Sequence, residues 1–151
     1  FELDKVETFS DAPLWAGAAS ATGLIREYAR QKKLSLQGPL PTGEEIFAAY
    51  NAGEPEAQKA LKIFARRVAV GILSLQNVLD VEKVAIGGGI SKQPLLLDDL
   101  RRVYAGLFAS RGESPYMIGL PRCEIVPCHF SSEANQVGAL YTYLQAESKT
   151  V

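Results

Sequence analysis

The stretch Val84-Ala85-Ile86-Gly87-Gly88-Gly89-Ile90-Ser91 runs an apolar segment straight into three adjacent glycines. Each glycine loses about 0.5–1 kcal/mol of backbone entropy relative to alanine, so three in a row after a strand mark a need for φ > 0 or the close approach of another group. In open α/β sheets, ligands sit just beyond the carboxyl ends of strands, where the next helix begins. The pattern therefore predicts a buried strand over 83–86 and a ligand site at Gly87, Gly88 and Gly89. A strand-to-helix turn with no ligand has the same signature, and both readings stand at this point.

Helical periodicity accounts for most of the remaining chain. Ser10-Asp11-Ala12-Pro13 offers an N-cap and a first-turn proline, and Leu14, Ala18, Ala21, Ile25, Tyr28 and Ala29 continue at helical spacing, predicting one helix over about 13–31. Thr42 and Glu45 form a capping-box pattern ahead of a short helix with Ile46, Phe47 and Tyr50 inward. The longest helix opens at Glu54-Pro55-Glu56 and runs to Leu79, with Ala57, Leu61, Phe64, Val68, Ile72, Leu75 and Leu79 on one face. Between Val68 and Leu75 it is apolar nearly all round, which predicts burial between a sheet and another layer.

Beyond the glycine strand, a helix over 94–108, a loop over 110–121 and a second strand over 123–129 are expected. Ser131-Ser132-Glu133 reads as the cap of a final helix, and residues 1–9 as a short edge strand. Helical crossovers of this length join parallel strands, so the fold class is α/β, a sheet flanked by helices.

A chain of 151 residues suits a single domain over 1–151. Its net charge of -1, with Lys and Arg scattered, gives no electrostatic footprint for nucleic acid or an anionic membrane. No run reaches the ~18 apolar residues of a membrane span, and a cytoplasmic location is expected. The opening Phe1-Glu2-Leu3-Asp4 lacks an initiator Met, as in a piece of a longer protein. Cys123 and Cys128 lie five apart in one strand, on opposite faces, and read as buried thiols; His129 reads as structural, with a catalytic role as the alternative. Glu44-Glu45 and Asp98-Asp99 read as solvated helix faces.

Three ordered stretches carry a family resemblance. Residues Gln76 to Ser91, a helix end with an Asn, an Asp-Val-Glu turn and the strand into Gly87-Gly88-Gly89, resemble the segment of the ROK family (repressor, open reading frame, kinase) that leads to the adenosine loop. The run Ser131 to Leu140 resembles the same family's last-helix motif, usually Gly-Asn-Asp-Ala with a later Gly-Ala pair. Ala19-Ser20 through Leu24 is similar to the Ala-Ser that follows its sugar-contacting segment.

That resemblance implies a ribonuclease-H-like, actin-like or sugar-kinase ATPase lobe. Specifically, it implies the C-terminal lobe of a two-lobe ATP-dependent sugar kinase, whose phosphate loop, catalytic base and main Mg²⁺ ligands belong to an N-terminal lobe. It implies nucleotide contacts at Gly87, Gly88 and Gly89, with Ser91 capping the next helix or touching the ribose, and no catalytic residue in this chain. A small-molecule sugar and the N-terminal lobe are the implied partners, and the long apolar helix is a candidate homodimer surface. The family also contains sugar-responsive regulators, and a non-catalytic sugar-binding module is a third reading.

Two departures from the family pattern bear on the sugar. Where most members have a His and three Cys holding structural zinc, followed by a sugar-contacting Glu, this chain has Phe9-Ser10-Asp11-Ala12-Pro13-Leu14-Trp15-Ala16-Gly17. Ala16 stands at the Glu position, Trp15 is a weak candidate for stacking on a sugar ring, and a zinc-lacking branch with altered specificity is expected. Metal analysis of the purified full-length protein should therefore find no zinc. About one equivalent per chain surviving a chelator wash would contradict that expectation, since structural zinc sites are closed and slow to release metal.

Overall fold

The computed structural model describes residues 15–109 and 121–148. The expected edge strand over 1–9, the helix start at Ser10 to Pro13 and most of the loop over 110–121 lie outside them. The order is α1 (Trp15–Ala18), α2 (Ala21–Gln31), α3 (Gly43–Asn51), α4 (Pro55–Leu79), β1 (Lys83–Ile86), α5 (Pro94–Ala109), β2 (Glu124–Pro127) and α6 (Ala134–Ser148). Single 3₁₀ turns at Gly89–Lys92 and Ser131–Glu133 follow the two strands. Two compact units divide the chain within α4, one up to Leu73 and one from Ser74.

The first unit is helical. The helix expected over 13–31 is broken, because Ser20 takes an extended conformation, accepts a hydrogen bond from Gly23 N at 3.1 Å and so caps α2. Gly23 makes the break possible. A Cβ there would lie 2.5 Å from the Ala18 carbonyl oxygen, so only glycine lets α1 end so close to α2. The capping box forms as the sequence predicts: Thr42 Oγ1 accepts from Glu45 N at 3.2 Å, and Glu45 Oε2 accepts from Thr42 N at 2.7 Å. Leu24, Ala29, Ile46, Ala57, Leu61, Phe64 and Ile72 fill the core.

One carboxylate is buried among the described residues of this unit. Glu27 is 2% exposed and accepts from Arg67 Nη2 at 2.7 Å, Arg30 Nη1 at 2.9 Å and Gln31 Nε2 at 2.7 Å. Burial pushes its carboxyl up, but the hydrogen bonds from Gln31 and Arg67 and the charges of Arg67 and Arg30 outweigh burial and hold it below its ordinary value of 4.5. Arg67 lies on α4, so this pair ties α2 to the long helix.

In the second unit, β1 and β2 pair in parallel, with Lys83 opposite Glu124, Val84 opposite Ile125, Ala85 opposite Val126 and Ile86 opposite Pro127. Helix α4 ends where Asp80 takes φ 48°, its N–H donating to Gln76 O at 3.0 Å while the buried Gln76 amide donates to Asp80 Oδ1 at 3.1 Å. Helix α5 covers β2: Arg101 Nε donates to Ile125 O at 2.9 Å, and Leu96, Leu97, Leu100, Tyr104 and Phe108 are buried with Ile125.

Several burial expectations are corrected. Strand β1 alternates exposed and half-buried residues, because one face carries Lys83 and Ala85 to solvent and only Val84 and Ile86 pack. On α4 the expected apolar face holds through Ile72, but Leu75 and Leu79 are 39% and 62% exposed. The second strand is shorter than expected, 124–127, so Cys123 and Cys128 flank it; Cys123 is buried and Cys128 half-buried. Both Cys123 N and Sγ donate to the Tyr104 hydroxyl oxygen, at 3.4 and 3.2 Å.

Replacing the buried carboxylate gives a check with a definite sign. Glu27→Gln removes the partner charge of Arg67 and should destabilise the fold by about 1–3 kcal/mol at neutral pH. Because the folded carboxyl is held low, its contribution is complete above pH 4.5 and is lost as pH falls through the lowered value, so wild type and variant should converge in acid. Urea unfolding across that range, followed by circular dichroism, measures the gap; a gap that persists in acid would count against it.

Candidate functional site

Parallel pairing brings the chain out of both strands side by side, at their carboxyl ends. The ladder extends one residue further, since Cys128 N donates to Ile86 O at 2.8 Å. Next, Gly88 N donates to Ser131 O at 3.2 Å, and Ser131 N donates to Cys128 O at 3.0 Å. The turn after β1 is thus pinned to the turn after β2.

The three glycines differ in what they require. Gly88 has φ 78° and ψ 177°, a conformation essentially closed to other residues, at about 1–3 kcal/mol for any side chain. Gly87 and Gly89 lie outside the positive-φ region. A Cβ on Gly87 would make ordinary contact with Ser131 O at 3.7 Å and Cys128 Cβ at 3.8 Å, while one on Gly88 or Gly89 would meet nothing within 4 Å. The backbone at Gly88 and Gly89 therefore faces open space, and the fold itself demands glycine only at Gly88.

Ser91 lies in this same arrangement, but with a role the sequence did not disclose. It is buried, and its hydroxyl donates to Gly88 O at 2.7 Å, where Ser91 N also donates at 3.1 Å. Its oxygen lies 3.1 Å from Ser131 Oγ. Since the one Ser91 hydroxyl hydrogen serves Gly88, Ser131 is the donor in that pair. In the structure Ser91 is an internal brace, its hydroxyl hydrogen given to Gly88 O and its oxygen beside Ser131 Oγ. Ser131, in turn, does not cap α6 with its side chain: it takes φ 50° and begins a 3₁₀ turn that leads into the helix.

Trp15 is not near this turn in sequence and has its own task in the first unit. Its Nε1 donates to Arg67 O at 2.9 Å, and a Cβ on Gly71 would overlap the indole ring. The ring fits where α4 has no side chain, which gives Trp15 a packing role. Ala16 and Gly17 beside it are exposed, and a Cβ on Gly17 would meet nothing within 4 Å. His129 is exposed and stands edge-on to Phe130 at 4.9 Å between ring centroids.

Among the described residues, no group of three or more His, Cys, Asp or Glu is placed to hold a metal ion. No helix among them is long and apolar enough to cross a membrane. Glu45 serves the capping box and the exposed Asp98 pairs with Arg101, whereas Asp99 pairs with Arg102 but is only 17% exposed, so the expected solvated face of α5 holds for Asp98 and not for Asp99.

Comparison with known proteins adds the wider context. A model of the ROK family matches residues 15–146. A beta-glucoside kinase from Listeria innocua is 30% identical over 108 residues, covering 72% of this chain and 33% of that protein. The chain thus spans about a third of the length of this curated relative. Among solved structures, a ROK family protein from Streptococcus pneumoniae TIGR4 in complex with sucrose superposes with a TM-score of 0.76 at 22% identity, covering 96% of this chain and 47% of that one. A ROK family glucokinase from Streptomyces griseus in complex with glucose and AMPPNP gives 0.66 at 23% identity, over 83% of this chain and 42% of that one. The fold is therefore that of the ROK sugar kinases, the actin-like ATPase fold, here helix-rich with a small parallel sheet.

Proposed function

The chain belongs to the ROK family, and we propose that it forms the C-terminal, nucleotide-gripping lobe of an ATP-dependent sugar kinase. The observation that carries this reading is the turn at Gly87 to Gly89: a bare backbone facing open space at the carboxyl ends of two parallel strands, with Gly88 in a conformation only glycine adopts readily. Adenine is a flat group that binds largely by contact area, and in this reading a side chain at Gly88 or Gly89 would stand where the nucleoside lies. The kinase name of the Listeria innocua relative supports the same reading. The repressor alternative draws no such support.

In this reading the γ-phosphoryl group of ATP passes to a sugar hydroxyl and ADP leaves. Such transfer is mostly positioning and charge stabilisation. The present chain contributes nucleotide grip, while the base, phosphate loop and Mg²⁺ ligands come from the other lobe, so the chain alone is inactive. The glycine turn fits ATP by its lack of side chains.

For the sugar, we favour a glycoside over free glucose. Ala16 stands where the family pattern has a sugar-contacting Glu, and the exposed Ala16 and Gly17 leave room that a larger side chain would fill. A sugar hydroxyl that loses a buried acceptor loses about 1–3 kcal/mol, so selectivity moves to substrates that do not rely on it.

Nucleotide binding is tested at Gly89 rather than Gly88, because any side chain at Gly88 strains the backbone and confounds the result. Gly89→Ala suits the local backbone and should leave the fold intact or stabilise it by about 0.4–1 kcal/mol. In the full-length protein it should weaken ATP binding by about tenfold or more in calorimetry, equivalent to about 1.4 kcal/mol. Undiminished ATP affinity would remove the site.

Sugar choice is read from ADP release by the full-length protein against free hexoses, N-acetylated hexosamines and β-glucosides. The β-glucosides should give the highest kcat/KM. A clear preference for free glucose would sink the altered pocket, and ATP binding without turnover of any sugar would favour a regulator.

A further inference from the structure

We propose that Ser91 and Ser131 act together as positioning residues for nucleotide binding, a hydroxyl clamp that fixes the Gly88 backbone across the ends of both strands. The proposal rests on the glycine turn being the nucleotide site, and goes beyond it by assigning work to two side chains through the bonds they make to Gly88 and to each other.

The backbone of Gly88 is held at both of its polar groups. Its N–H donates to Ser131 O, and its carbonyl accepts from Ser91 N and from the Ser91 hydroxyl. The two hydroxyls then bond to each other at 3.1 Å, closing a ring of hydrogen bonds between positions 40 apart in sequence. Glycine with φ near 78° has many other conformations of similar energy, so the turn needs external restraint to present one surface to a ligand. The clamp supplies it.

Ser131 gives the more telling evidence. It is one of three non-glycine residues among those described with positive φ, at 50°, a conformation that disfavours an L side chain by about 1–2 kcal/mol. Glycine would remove that strain, yet it would also remove the hydroxyl that meets Ser91. Serine here trades backbone ease for the hydroxyl bridge, as expected if the bridge matters to what the turn does. Ser91 is buried and Ser131 half-buried, and their hydroxyls meet each other while Ser91 also donates to Gly88 O, so the effect assigned to them here is one that passes through Gly88.

The test uses the full-length protein with Ser91→Ala, Ser131→Gly, the double variant and Gly89→Ala as reference. ATP and the preferred sugar are titrated separately by calorimetry, with thermal unfolding of each variant. Each serine variant should weaken ATP binding about threefold to tenfold while leaving sugar affinity unchanged, as expected when one positioning hydrogen bond is lost. Ser131→Gly should do so without lowering the melting temperature, because it relieves the strained φ, and this separates positioning from simple support. The double variant should be no worse than the more severe single one, since the hydroxyls act as a unit.

ATP affinity within about twofold of wild type in both single variants would overturn the clamp, as would parallel losses of ATP affinity, sugar affinity and melting temperature. If Gly89→Ala weakens ATP binding and the serine variants do not, the clamp falls and the nucleotide site stands. If Gly89→Ala is also neutral, the site falls and the clamp with it.

Discussion

The parallel pairing of β1 with β2 is the constraint on which the candidate site depends. Only four residues of each strand take part, yet their register sets every later contact: Ile86 opposite Pro127 puts Gly87 beside Cys128 and brings Gly88 within reach of Ser131. A slip of one residue would reverse the faces of β2, sending Ile125 away from α5 and separating the serine hydroxyls. Helix α5 opposes such a slip through the Arg101 bond to the Ile125 carbonyl and the burial of Leu97, Leu100 and Tyr104. The crossover helix thus does more than connect two strands, for it holds the register that shapes the turn.

What the turn offers a ligand follows from how it is held. Phosphate-binding loops present several converging, unpaired N–H groups. Here the Gly88 N–H already serves Ser131, and the Gly88 carbonyl already serves Ser91. The hydrogen-bonding groups of Gly88 are thus taken up within the fold, and the turn leaves open a backbone without side chains at Gly88 and Gly89.

Local patterns in the sequence foretold local structure. The glycine strand, the capping box at Thr42 and Glu45 and the reach of α4 to Leu79 all depend on residues within a turn or two of one another, and each forms over the expected positions. The break at Ser20 was equally local but hidden, because Ala18, Ala21 and Ile25 continue a helical spacing across it; Gly23 was the available signal. Ser91 and Ser131 were not legible in this way. Each precedes a helix and so resembles a cap, and only the parallel pairing reveals that they meet. The last-helix motif that Ser131 opens usually begins with glycine, which agrees with the positive φ found there.

Burial was the least legible property, for a physical reason that α6 makes plain. Its Leu140, Tyr141, Tyr143 and Leu144 are 59%, 64%, 60% and 55% exposed, and Val78 at the end of α4 is 80% exposed. Burying a side chain of this size is worth about 1.5–3 kcal/mol, so two helix faces of this kind are unfavourable in water by themselves. Helical periodicity records which residues a helix can bury, whereas exposure depends on what is packed against that face. Element type follows from neighbours in sequence and burial from everything the element packs against. A sequence reading that predicts the first well will therefore overestimate the second wherever an apolar face lacks a partner among the described residues.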